Sequence, residues 1–203
     1  MGALKNLRSL PELAKNTSIA IETGSGYGTG IYELSRLPFS LILSVEIEKD
    51  QADLLAYFFR FDQRIRVYNS DSFQFLNAVL SKVHPTTQIL FFLDSHFPGA
   101  DLGKKGFTDE TNEDIRLPLY EELKLIKDLR PNSKDIIICD DISLYDLPER
   151  QGLYEGSVVK NRPELAPKYK QDWIDVFQGM FSKTHASQIN YQEQGYLIFT
   201  PNE

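Results

Sequence analysis

The chain has 203 residues, 41% hydrophobic and 25% charged, values that suit one soluble globular domain whose core needs neither a disulfide nor a structural metal. A formal net charge of -7 works against phosphate neutralisation, and so against nucleic acid as the main partner. No apolar run reaches the ~20 residues that span a bilayer, and the single cysteine, Cys139, excludes an intramolecular disulfide.

In chain order, Leu4, Leu7, Leu10 and Leu13 fall at helical spacing. They predict a short N-terminal helical extension over residues 1–17, interrupted at Pro11. From Ser18 an alternation begins that predicts the main domain, 18–203. Strands are expected at Ile19–Thr23, Leu41–Ile47, Ile65–Asn69, Ile89–Asp94 and Ile136–Asp140. Helices are expected at Thr29–Leu37, Glu48–Phe61, Ser72–Val83 and Leu117–Leu129. Short strands alternating with helices of about ten residues are the signature of βαβ units and a parallel sheet covered on both faces. The apolar runs Ile89–Leu93 and Ile136–Ile138 fit strands buried on both sides. Cys139 continues the second run and reads as a small buried hydrophobe, in keeping with a reducing, cytoplasmic compartment. After the fifth strand the pattern changes. A helix is expected at Asp172–Phe181, then strands at Gln188–Gln192 and Gly195–Thr200 joined by a tight turn at Glu193-Gln194. The fold class is therefore α/β and Rossmann-like, with a mostly parallel sheet and a terminal antiparallel strand. Residues 98–116 and 143–170 hold glycines, prolines and charges without periodicity, and are expected to be lid loops.

The chemistry lies at the strand ends. Glu22-Thr23-Gly24-Ser25-Gly26-Tyr27-Gly28 joins the first strand to the first helix. Its glycines permit a tight turn and close backbone approach to a ligand, with the helix N–H groups pointing the same way. The spacing departs from the dinucleotide G-x-G-x-x-G, since Thr29 stands where its third glycine would fall, and there is no G-K-[ST] P-loop. Glu46 follows Gly24 by 22 residues, where a carboxylate can accept from both hydroxyls of a ribose. Glu48 reads instead as the opening of the next helix. Asn69-Ser70-Asp71-Ser72 ends the third strand, where Asp71 can cap the next helix. Asp94-Ser95-His96-Phe97 and Cys139-Asp140-Asp141 end the fourth and fifth strands. Open α/β sheets bind ligands at such ends, and carboxylates crowded there repel unless a cation joins them.

The acidic residue, spacer and G-x-G-x-G loop resemble motif I of the class I S-adenosylmethionine-dependent methyltransferases. The resemblance spans roughly residues 18–145. It implies a cofactor site made of Glu22, Gly24, Ser25, Gly26, Tyr27, Gly28, Glu46, Ile47, Asp71, Ser72 and Asp94. The fourth strand lacks the Asp/Asn-Pro-Pro-Tyr motif of nucleic-acid amino-methyltransferases. Its Asp-x-His ending, with the later Asp-Asp pair, resembles metal-dependent, macrocin-type small-molecule O-methyltransferases, although many of those space the pair one residue wider. This implies magnesium on Asp94, Asp140 and Asp141, His96 as general base with Asp94 next in line, and a small-molecule hydroxyl as acceptor. A catalytically silent module of the same fold, a protein methyltransferase and a nicotinamide oxidoreductase are the competing readings. The glycine spacing speaks against the last.

Overall fold

The computed structural model describes residues 3–169 and 171–202. Seven strands form one sheet in the order β3-β2-β1-β4-β5-β7-β6. β1 (Ile19–Thr23), β2 (Leu41–Glu46), β3 (Ile65–Asn69), β4 (Ile89–Leu93) and β5 (Ile136–Cys139) run parallel. β7 (Tyr196–Pro201) inserts antiparallel beside β5, and β6 (His185–Asn190) closes the edge antiparallel to β7. The expected mostly parallel sheet with an antiparallel end is the one found.

Helices cover both faces. α1 (Leu10–Ala14) and α2 (Thr29–Ser35) lie on one side, where Leu4, Leu7, Leu10 and Leu34 pack against Ala20, Ile42, Leu90 and Ile138. α4 (Ser72–Leu80), α6 (Leu119–Leu129) and α7 (Trp173–Phe181) lie on the other. There Phe75, Leu123 and Phe177 bury with Ile21, Phe91 and Ile137. Neighbouring residues of one strand thus enter opposite cores, which is why the central strands read as unbroken apolar runs. α3 (Lys49–Phe58) follows β2 and packs on β3. A four-residue helix, α5 (Glu113–Arg116), precedes α6. Among the described residues no helix is long and apolar enough to cross a membrane.

Three sequence expectations need correction. Pro11 does not interrupt the N-terminal helix. A 3-10 turn at Ala3–Asn6 ends first, and Pro11 sits in the opening turn of α1, where its missing N–H costs nothing. β6 begins at His185 rather than Gln188, because the buried His185 ring reaches the Asp135 carbonyl at 2.9 Å and packs on Phe181. The hairpin then turns through residues 191–195 rather than two. Glu193 and Gly195 adopt positive φ, and the Gly195 N–H donates to the Gln192 carbonyl. The remaining elements stand within a few residues of expectation. α2, α3 and α4 each end short of Leu37, Phe61 and Val83, respectively.

Register places the site. Thr23 pairs with Val45 on one side and Leu93 on the other, Leu93 with Cys139, and Glu46 with Asn69. The carboxyl ends of all five parallel strands therefore reach the same edge of the sheet.

Candidate active site

A cavity of about 510 Å³ opens along that edge, within the size range of small-molecule sites. Every residue of the expected cofactor set lines it: Glu22, Gly24, Ser25, Gly26, Tyr27, Glu46, Ile47, Asp71, Ser72 and Asp94 do, except Gly28, which turns away toward α3. A Cβ on Gly28 would meet Leu55 at 2.6 Å. That glycine serves helix packing, and the close backbone approach belongs to Gly24 and Gly26.

Gly24 has φ +78°, and a Cβ there would lie 2.3 Å from the Asp94 carbonyl oxygen. Its N–H and that of Ser25 donate to the Val45 carbonyl at 3.0 and 3.1 Å. The loop is therefore pinned between the ends of β2 and β4. Glu22 lies behind it, fully buried, accepting from the Ser44 hydroxyl, which also meets Ser25 at 2.6 Å. Gly30 leaves room for the Glu22 carboxyl, since a Cβ there would stand 1.8 Å from it. Burial pushes the Glu22 carboxyl up to about 8, against the Ser44 hydrogen bond and with help from nearby Glu46. Glu22 thus shapes the loop from behind.

Glu46 caps the rim of the cavity and is 6% exposed. Its two oxygens accept from the Gly26 and Glu48 N–H groups, each at 2.9 Å. Burial raises its carboxyl, and those N–H groups partly offset the rise. Each oxygen keeps a second lone pair, so a fixed carboxylate still faces the cavity. Asp71 caps α4, accepting from the Gln74 N–H at 2.9 Å, and lines the cavity as well. The two readings of Asp71 are compatible.

The acidic end is built differently from the sequence expectation. Asp94, His96 and Asp141 bring one ligand atom each within 4.8 Å of one another. His96 Nε2 stands 2.9 Å from Asp141 and 3.6 Å from Asp101, and Nδ1 stands 3.5 Å from Asp94. Asp140 lines the cavity but turns one oxygen to the Asp141 N–H at 2.8 Å. The cation-type triad therefore takes His96 in place of Asp140. Asp141 reaches it from a left-handed backbone, φ +51°, held by Ile142 and Ser143 N–H bonds to the β6–β7 turn. Burial would lower the His96 imidazolium, but the Asp141 carboxylate outweighs it and lifts the group to about 9. Burial and the neighbouring Asp140 and Asp141 charges hold Asp94 well above the usual carboxylate range. Asp141 lies below it because His96 outweighs burial. Such opposed shifts mark carboxylates and an imidazole that share protons or would share a cation. In this arrangement His96 holds its proton at neutral pH, and the imidazole would have to release that proton either to ligate a cation or to act as a base.

Glu122 on α6 was not singled out in the sequence. It is fully buried beneath the site, facing the hydroxyls of Ser72, Thr23 and Ser95. Neither of its oxygens has a partner in hydrogen-bonding geometry among the described residues. A signal existed: Leu119, Leu123 and Ile126 form the apolar stripe of that helix, and Glu122 falls on the same face.

The two irregular segments form the outer wall. Phe107 and Ile115 come from the first, and Leu144, Val158, Arg162 and Leu165 from the second. Buried Arg116 ties them together through the Leu165 and Ala166 carbonyls at 3.1 and 2.9 Å. On the glycine-loop side, Tyr27 donates to the Asp101 carbonyl, and Lys104 and Lys105 pair with Glu48 at 3.6 and 3.1 Å.

The fold is shared with a known class. A protein from Staphylococcus aureus assigned as a caffeoyl-CoA O-methyltransferase is similar, with a TM-score of 0.58 at 12% identity over 95% of this chain and 81% of that one. A Podospora anserina methyltransferase with S-adenosylhomocysteine bound gives 0.53 at 15% identity, over 92% and 72%. A Klebsiella pneumoniae protein assigned as an O-methyltransferase gives 0.52 at 16% identity, over 100% and 82%. No protein-family model and no curated protein matches the sequence. The chain has the fold of the class I S-adenosylmethionine-dependent methyltransferases.

Proposed function

We propose that this chain is an S-adenosylmethionine-dependent methyltransferase acting on a hydroxyl of a small molecule, assisted by a divalent cation such as magnesium. One observation carries the reading: a single cavity joins the Gly24–Gly26 cradle and Glu46 to the Asp94–His96–Asp141 cluster. The cradle fits an adenosyl amino acid, because Gly24 and Gly26 both line the cavity and the space beside Gly26 is open. Glu46 fits a ribose diol, being a carboxylate already fixed by two N–H groups. Two carboxylates and one imidazole fit a divalent cation.

When bound, the cofactor supplies a sulfonium methyl group, and the cation lowers the pKa of an acceptor hydroxyl. The chain's own residues do the rest. The glycine loop and the end of β4 fix where the methyl donor ends and the acceptor begins, and positioning of this kind supplies much of the acceleration of a displacement. Asp94, His96 and Asp141 would hold the cation beside the acceptor oxygen, and the hydroxyl so acidified would lose its proton to water. Residues 98–116 and 143–170 exclude water by walling the cavity, and closure over bound ligands belongs to the same proposal. The neighbours assigned as O-methyltransferases support a hydroxyl as acceptor. The acidity of the cavity supports a small molecule over nucleic acid.

Calorimetry with S-adenosylhomocysteine and NAD tests the cofactor. Micromolar binding of the former is expected, about -8 kcal/mol, and tighter binding of NAD would overturn the assignment. Methyl transfer to a panel of catechols and sugars, with EDTA and then with magnesium restored, tests the rest. Activity that ignores EDTA would remove the cation.

A further inference from the structure

Ten of the residues that line the cavity are Asp or Glu, whereas Arg162 is its one Lys or Arg among the described residues. A cavity so acidic repels anions except where a cation meets them. Arg162 is placed to be that cation. Its N–H is bonded to the Val158 carbonyl, and its own carbonyl accepts from Leu165. The guanidinium lies over the Phe107 ring at 5.0 Å. Its Nε pairs with Glu164 at 3.0 Å, an ion pair exposed to water on both sides and therefore weak. The two terminal nitrogens have no hydrogen-bond partner among the described residues. That leaves the forked edge of the guanidinium, the edge that receives a carboxylate or phosphate in two parallel bonds.

A row of rings connects this cation to the chemistry. The His96 ring stands edge-on to Phe97 at 5.4 Å, and Phe97 to Phe107 at 5.4 Å, with Arg162 over the far ring. Phe97 is buried and Phe107 half-buried. Val158, Leu165 and Leu144 add apolar side chains to the lining of the same cavity. A molecule whose hydroxyl lies at His96 would lay its body along this wall and reach Arg162 with its other end.

We infer that the acceptor carries an anionic group, a carboxylate or a phosphate, at the end remote from the reacting hydroxyl, and that Arg162 receives it. This rests on the methyltransferase reading. It adds a substrate class and a specificity-determining residue to it.

Titration calorimetry in the presence of S-adenosylhomocysteine and magnesium tests the inference with three probes: 3-(3,4-dihydroxyphenyl)propionate, its methyl ester, and the phosphate monoester of the corresponding propanol. At least one anion is expected to bind tenfold or more tightly than the ester, and the tighter of the two identifies the group. Arg162→Met is expected to bring that ratio to about one, and Arg162→Lys to keep part of it. Glu164→Gln, which releases the guanidinium without removing it, is expected to increase the ratio severalfold and stands in if Arg162→Met does not fold. Equal affinity for ester and anions, no binding of either anion, or a preference that survives Arg162→Met would overturn the inference. Failure of the methyltransferase reading shows separately, as loss of S-adenosylhomocysteine binding by the unaltered protein.

Discussion

A side chain on Gly24 would collide with the carbonyl of Asp94, its Cβ 2.3 Å from that oxygen. The glycine loop after β1 and the end of β4 therefore meet backbone to backbone. The cofactor cradle and the acidic cluster are two sides of one contact, and damage to either should be felt by both.

Gly24→Ala is accordingly expected to impair more than the loop. The left-handed backbone disfavours alanine by about 1–2 kcal/mol, and forcing atoms into the contact adds roughly 1–3 kcal/mol. Urea unfolding should show a loss of about 2–5 kcal/mol, and S-adenosylhomocysteine affinity should fall at least tenfold. Unchanged affinity in a folded variant would mean that the cradle does not hold the cofactor.

Glu46 supports the loop and faces the proposed ribose. Glu46→Ala leaves the Gly26 and Glu48 N–H groups without their acceptor and removes a charged partner for the diol. A loss of roughly 1.5–3 kcal/mol in cofactor binding is expected, about tenfold to hundredfold. Glu46→Gln keeps one acceptor oxygen and should fall between. Calorimetry on both variants decides, and equal binding by all three proteins would refute the role.

The triad makes a prediction that does not depend on turnover. Asp94→Asn and Asp141→Asn should each weaken binding of manganese, used as a spectroscopic probe, by tenfold or more in electron paramagnetic resonance titrations. His96→Ala should do the same if the imidazole is a ligand, as its distances to Asp94 and Asp141 suggest. Asp140→Asn should matter less, because that carboxylate turns to the Asp141 N–H. The reverse ranking of His96 and Asp140 would restore the three-aspartate site expected from the sequence.

Glu122 ties stability to pH. Burial lifts its carboxyl to about 7, although the hydroxyls of Ser72, Thr23 and Ser95 and the His96 charge pull it down. The unfolded chain ionises this group near 4.5, so the folded state is disfavoured increasingly as pH rises from about 4.5 to about 7. Below that window the cost is absent, and above it the cost is complete. Glu122→Gln should therefore stabilise the protein by about 3 kcal/mol at pH 8 and scarcely at pH 4.5. Urea unfolding at the two pH values measures the difference. An equal effect at both would show that the carboxyl is not the source.

Hydrogen exchange tests the outer wall. Residues 98–116 and 143–170 are expected to gain protection when S-adenosylhomocysteine and an acceptor are both present, the first segment most where Lys104 and Lys105 meet Glu48. Unchanged protection throughout would mean a fixed wall rather than a lid.

The parallel βαβ units, the glycine loop, and the acids at the strand ends were all legible in the sequence, because each depends on local periodicity or on a turn that only certain residues permit. Ile89–Leu93 had to be a central strand, and Gly24 had to mark a close approach. What the chain order could not express is which strand ends become neighbours. β7 inserts beside β5 and ahead of β6, and its turn then holds the backbone around Asp141. That long-range bond swings Asp141 toward His96 and leaves Asp140 to its own backbone. The same is true of Arg162, which sits in a segment without periodicity and acquires meaning only from the Phe107 ring beneath it and the Phe97 ring packed on Phe107. Local sequence dictates which backbone conformation a residue takes. Which side chains share a desolvated cavity, and so which charges they shift, is decided by packing between segments far apart in the chain.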